Sequence, residues 1–218
     1  MRKITINLAA VAAFCIVVAS PALVSSSCAT PQTEQEDTTI IREDLGITAL
    51  KYSSPEVPSS IEFCGKVIDL SRFDRHERMD RELLAFTYMH STSLQMLKKA
   101  NRYFPIVEPI LKENGIPDDF KYLMVIESNM NPTARSSAGA AGLWQFMQGT
   151  GRDYGLEVNN NVDERYHIEK ATRAACRYLK DAYAKYKDWV AVAASYNAGQ
   201  ARIASQLAKQ DVDDSLDL

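Results

Sequence analysis

Glu127 stands where the surrounding spacing asks for an aliphatic side chain. In FKYLMVIESNMNP, residues 120–132, Phe120, Leu123, Met124 and Glu127 follow the i, i+3, i+4, i+7 spacing of one helical face, and Ile116 extends that face backwards. A carboxyl group on such a face lies against the interior or a cleft wall. Loss of water disfavours its charged form, so its pKa rises. An acid that keeps its proton near neutral pH can hand it to a leaving glycosidic oxygen. The alternative is a helix-end glutamate that reaches solvent or pairs with Arg135.

The residues that follow bear on this choice. Ser128, Asn129 and Asn131 are polar helix enders and Pro132 is a stop, so Glu127 is expected in a last turn, where a cleft can open. Gly139, Ala140, Ala141 and Gly142 then form a small-residue loop that lets backbone or a ligand come close. LWQFM follows, with an aromatic pair, an amide and a thioether in five residues. Sugars are held by apolar ring faces on aromatics and by amides bonded to hydroxyls and N-acetyl groups. Trp144, Gln145, Phe146 and Met147 could form such a wall. Leu143 and Phe146 are expected in the core, and Gln145 and Met147 in the cleft. Tyr196 and Asn197 end a later apolar helix, where a tyrosine commonly has a satisfied core hydroxyl.

The elements that must position these groups read as helices. In RFDRHERMDRELLAF the pairs Asp74/Arg78 and Glu77/Arg81 have the spacing of helix-surface ion pairs, with Met79, Leu83, Phe86 and Tyr88 on the packing side. FPIVEPILKENG ends at Gly115, a helix-stop glycine. PDDFKYLMVIES opens with Pro117 and two aspartates, good first-turn residues. IEKATRAACRYLKDAYAKYK keeps Ala171, Ala175, Tyr178, Leu179, Ala182 and Tyr186 on one side. WVAVAASYNAG is apolar nearly all round, as a buried helix is, and stops at Gly199. No repeat and no convincing alternating run appears, so the expected class is mainly α.

The 218 residues are 46% hydrophobic and 24% charged, an ordinary globular composition. Net charge is −3 and no long basic run appears, which argues against a nucleic-acid partner. Met1-Arg2-Lys3 precedes an unbroken apolar run, Leu8–Ala19, that is short for a membrane span and suits a signal peptide. SPALVSSSCAT leads to Cys28, in the manner of a loose lipoprotein signal whose cysteine is lipidated; a soluble secreted protein is the alternative. Residues 29–60 are rich in Thr, Glu, Ser and Pro and read as a solvated tether, suited to a domain held off a membrane by a lipid anchor. Cys64 and Cys176 are expected as separate thiols, although an oxidising compartment permits a bridge. His76, His90 and His167 are scattered and expected at surface or capping positions. No cysteine–histidine cluster has metal spacing, and neither metal nor cofactor is expected.

Glu127-Ser128, Asn131-Pro132, Ala134, Ser136, Gly139-Ala140, Gly142-Leu143-Trp144-Gln145-Phe146, Thr150-Gly151 and Tyr196-Asn197-Ala198-Gly199 together resemble the transglycosylase SLT domain, in order and at compatible spacing. VDERYHIEKATRAACRYLK, with Asp163, Arg165, Ala171 and Thr172, is similar to the membrane-bound lytic murein transglycosylase D branch. The similarity runs from about Arg72 to Ile203. It implies a lysozyme-like helical fold and cleavage of the β-1,4 bond between N-acetylmuramic acid and N-acetylglucosamine in peptidoglycan. It implies Glu127 as the single acid/base, closing a 1,6-anhydro ring without water, with Ser128, Gln145, Met147, Tyr196 and Asn197 around the sugar or the carboxyl. Hydrolytic glycosidases pair two carboxylates; Asp163 and Glu164 read instead as a helix cap or as partners of Arg165. A goose-type-lysozyme-like hydrolase and a non-catalytic peptidoglycan-binding lipoprotein are the alternatives. The expected layout is a signal peptide at 1–27, a tether at 28–60, an N-terminal helical segment at 61–104 and the SLT domain at 105–218, C-terminally truncated relative to the family. The expected location is the periplasm, as an outer-membrane lipoprotein of a Gram-negative bacterium.

Overall fold

The computed structural model describes residues 55–210. The expected signal peptide, Cys28 and most of the expected tether lie outside the described residues. Within them the chain is mainly α, and its first element departs from expectation. Where a helical segment is predicted, the chain forms an antiparallel hairpin of β1 (Ser60–Phe63) and β2 (Lys66–Asp69), with Ile61 opposite Ile68. Cys64 and Gly65 turn it with φ of 52° and 81°. Two positive φ values mark the tight turn whose twist suits a hairpin. The Cys64 N–H donates to the Asp119 carboxylate at 2.6 Å. Phe63 and Ile68 are buried, and Phe63 meets Phe120 with ring centroids 5.9 Å apart.

Helix α1 (Phe73–Tyr88) buries Met79 and Leu83, with Phe86 packed alongside, whereas Tyr88 is exposed. Asp74 pairs at 2.7 Å with Arg72, just before the helix, rather than with Arg78. Helix α2 (His90–Glu113) runs unbroken through residues 104 and 105, the expected segment boundary. Its Pro105 and Pro109 are exposed, as is Asn101. The carbonyls that lose a partner to the prolines, those of Asn101 and Pro105, are therefore open to water. The helix stops as predicted. Gly115 has φ of +65°, its N–H donates to Lys112 O, and the Ile116 N–H donates to Leu111 O, both at 3.0 Å.

A 3-10 turn, Asp118–Tyr122, then winds into α3 (Leu123–Ser128), where one continuous helix is expected. The predicted face survives, since Ile116, Phe120, Leu123 and Met124 are all buried. Then come α4 (Gln148–Asp153), a 3-10 turn at Glu164–Tyr166, α5 (Ile168–Tyr186), α6 (Trp189–Ala198) and α7 (Gln200–Gln210). The alanines of α5 let it pack closely between α2 and α6. Helix α6 is buried from Val190 to Ser195 and ends at Gly199, as its composition predicts. His167 caps α5, its Nδ1 accepting from the Lys170 N–H. Cys64 and Cys176 do not form a bridge.

Candidate active site

Glu127 lies in the last turn of α3, half-buried, one residue before the helix ends. Among the described residues its carboxyl has no hydrogen-bond or ion-pair partner, so the expected alternative of an Arg135 pair is not realised. Burial alone pushes its pKa up to about 7. Nearby, Tyr196 is pushed well above the ordinary tyrosine value, first by burial and then by the charge of Glu127. Both shifts favour the protonated form of each group.

The backbone around this site is strained. Asn129, Met130 and Gln145 have φ of 50°, 52° and 48°. None is glycine; Met130 and Gln145 each cost on the order of 1 kcal/mol, whereas asparagine takes the left-handed conformation readily at a helix end. The turn after α3 is held by Asn129 N–H to Val125 O at 2.8 Å, and Lys99 of α2 donates to Asn129 O at 3.1 Å.

The small-residue loop is stitched to this helix end. Ser128 Oγ stands 2.9 Å from Met124 O and 3.0 Å from Leu143 O. Tyr196 donates its hydroxyl to Trp144 O at 2.8 Å, reaching from α6 into the same loop. Gly142 answers the question of what approaches the loop. It is backbone, because a Cβ at that residue, where φ is +78°, would lie 1.9 Å from Arg165 O. Arg165 itself is buried. Its guanidinium holds Asp163 through Nε and Nη2 at 2.9 and 2.7 Å, and through Nη1 it donates to Gly139 O and Phe146 O at 2.8 and 3.0 Å. The Arg165 hydrogen bonds hold the Asp163 carboxyl below its ordinary value. Glu164 is likewise lowered, first by the Glu157 N–H and then by Lys170. Both acids are thus committed to structure, as capping and ion-pair residues.

The predicted site residues separate into two groups. Glu127, Ser128 and Tyr196 come together around the loop carbonyls of Leu143 and Trp144. Gln145 joins them in the loop, half-buried, its Nε2 donating to Gly142 O at 2.8 Å and Ala134 O at 3.3 Å. Met147 and Asn197 are exposed, and no hydrogen bond ties either to this group among the described residues. Trp144 is not a cleft wall. It is fully buried, and its Nε1 donates to Thr172 Oγ1 at 2.9 Å. Phe146 and Leu143 are buried as expected. Sequence reading missed the grip of Arg165 on two distant carbonyls, which no local spacing signals. Among the described residues no group of three or more His, Cys, Asp and Glu side chains could hold a metal ion.

A family model described as Transglycosylase SLT domain matches residues 105–216, just over half of the chain. The membrane-bound lytic murein transglycosylase D of Escherichia coli K12 is 31% identical over 128 residues, which cover 58% of this chain and 27% of that relative. The peptidoglycan transglycosylase gp16 of Escherichia phage T7 is 33% identical over 93 residues, 41% of this chain and 7% of that relative. The chain therefore spans well under a third of the length of these relatives.

Proposed function

This chain belongs to the transglycosylase SLT domain family, with that family's mainly α, lysozyme-like fold, and on that premise we propose that it is a peptidoglycan lytic transglycosylase. It cleaves the β-1,4 bond between N-acetylmuramic acid and N-acetylglucosamine, with Glu127 as both acid and base. Protonated Glu127 gives its proton to the bridging oxygen as the bond from muramic C1 to that oxygen breaks. The resulting carboxylate takes the proton from the muramic C6 hydroxyl. The C6 oxygen closes on C1, giving a 1,6-anhydro end, and the proton is back on Glu127. No water is consumed. Ser128, Gln145, Met147, Tyr196 and Asn197 surround the carboxyl or the sugar.

One observation carries this reading: Glu127 is half-buried, without a partner, and held near pKa 7 by burial alone. A group so poised can give and regain a proton at neutral pH. Asp163 and Glu164, read from sequence as capping or ion-pair residues, are tied to Arg165 and Lys170. A second free carboxylate, as a hydrolase would use, is not supplied by them.

The rest of the chain fits an envelope enzyme. Residues 1–27 serve as a signal peptide and the stretch from 28 as a tether, which ends short of the expected residue 60 because β1 begins at Ser60 and Ser59 O accepts from the Leu70 N–H. Residues 61–104 brace the transglycosylase domain that begins at 105. Lipidated Cys28 anchors the protein to the outer membrane of a Gram-negative cell, facing the periplasm. The test is digestion of purified sacculi by the wild type and by Glu127→Gln. The variant is expected to pellet with sacculi as the wild type does and to release no muropeptides. Release by the variant would overturn the assignment.

A further inference from the structure

We infer that Arg165 is a positioning residue: its guanidinium sets the loop at residues 134–146 and, through that loop, the alignment of Glu127. The catalytic half of this inference rests on the function proposed above. The geometry is specific. The two carbonyls gripped by Arg165 Nη1 belong to Gly139 and Phe146. Between them in the chain stand Leu143 and Trp144, whose carbonyls receive the hydroxyls of Ser128 and Tyr196. One buried cation thus brackets both acceptors that tie the glutamate's surroundings to the loop. From the other side the loop rests on Arg165 again, with Gly142 packed against its main-chain carbonyl.

Further bonds close the loop on itself. Gly142 N–H donates to Ala134 O at 2.9 Å and Ala141 N–H to Phe146 O at 3.0 Å. These fix the loop's internal shape. The Arg165 grip and the buried Trp144–Thr172 bond hold it against the start of α5, so that the Ser128 and Tyr196 hydroxyls meet it from α3 and α6. Lysine cannot replace the grip, because a single ammonium cannot bond both Asp163 oxygens and two carbonyls at once. A simple ion pair for stability would need only Asp163. The bonds to the loop are what assign the second role.

Trp144 and Trp189 are the two tryptophans of the chain. In a Trp189→Phe background, Trp144 fluorescence reports the loop directly. Arg165→Lys and Gly142→Ala are each expected to make Trp144 accessible to acrylamide while far-UV helicity is retained. Turnover of sacculi per folded molecule, measured well below the melting transition, is expected to fall about a hundredfold, as for a misplacement of ~1 Å. Binding to sacculi is expected to stay unchanged. Asp163→Asn, the mildest variant, leaves both carbonyl bonds and is expected to give smaller changes in the same direction. Parental quenching of Trp144 in Arg165→Lys and Gly142→Ala, or parental turnover per folded molecule in either, would overturn the inference. Should the parent itself fail to turn over sacculi, the proposed function fails, and the quenching result alone decides whether Arg165 holds the loop.

Discussion

The hydroxyl of Ser128 stands 3.0 Å from the main-chain oxygen of Leu143, a bond that spans 15 residues and joins the end of α3 to the small-residue loop. The same oxygen of Ser128 lies 2.9 Å from Met124 O. One hydroxyl proton is shared between two carbonyls, one in its own helix and one across the site. The residue beside Glu127 is therefore the fastener that fixes where Glu127 points. Ser128→Ala is expected to cost about 1 kcal/mol, the usual net value of one such bond, seen as a lowered melting temperature. Turnover of sacculi should fall as well, while binding to them persists.

The pH dependence of stability should carry the mark of Glu127. Its pKa is raised from 4.5 to about 7 in the folded state. The neutral form is favoured by folding, so this contribution is complete below about pH 4.5 and is lost as pH rises through about 7. At about 1.4 kcal/mol per tenfold, the loss is at most about 3 kcal/mol. Glu127→Gln cannot ionise and escapes it. The variant is expected to match the wild type in denaturant titrations near pH 4 and to be the more stable protein at pH 8.5. Equal stability of the two at pH 8.5 would contradict the raised value.

Activity should follow the same proton. The catalytic cycle begins from the protonated carboxyl, so kcat/KM on soluble glycan strands should decline as pH rises through about 7. A profile flat from pH 5 to pH 9 would mean that another group supplies the proton.

Thr172 gives a prediction about the core beneath the site. It accepts from Trp144 Nε1 at 2.9 Å and donates to Ile168 O at 2.7 Å. Thr172→Val keeps the volume and removes the acceptor, leaving a buried indole N–H without a partner. The expected cost is about 1–3 kcal/mol in chemical denaturation.

The elements that position the site were legible to different degrees, for physical reasons. Helix α5 declares itself through regular apolar spacing and α6 through an apolar run on all sides, and Gly115 and Gly199 mark helix ends where a positive φ is needed. The odd placement of Glu127 on the Phe120–Leu123–Met124 face is likewise a local fact, readable from spacing. The hairpin was hidden because its strands are four residues each, too short to display an alternation. Trp144 was misjudged because its type suits a sugar wall as well as a core, and the partner that decides the matter, Thr172, is 28 residues away. The same distance problem hides the Arg165 bonds to Gly139 and Phe146. Spacing within one helix reveals which residues share a face; it does not reveal which carbonyl a hydroxyl or guanidinium will find after the chain has folded back.

The central claim concerns the fate of the muramic C1 carbon after bond cleavage. The most direct measurement is digestion of sacculi in water enriched in oxygen-18, with the muropeptides analysed by mass spectrometry. The account predicts 1,6-anhydro ends that carry no heavy oxygen, because the C6 hydroxyl of the same sugar closes the ring. Reducing ends labelled with oxygen-18 would contradict it, since solvent would then have done the work assigned to Glu127 and the C6 hydroxyl.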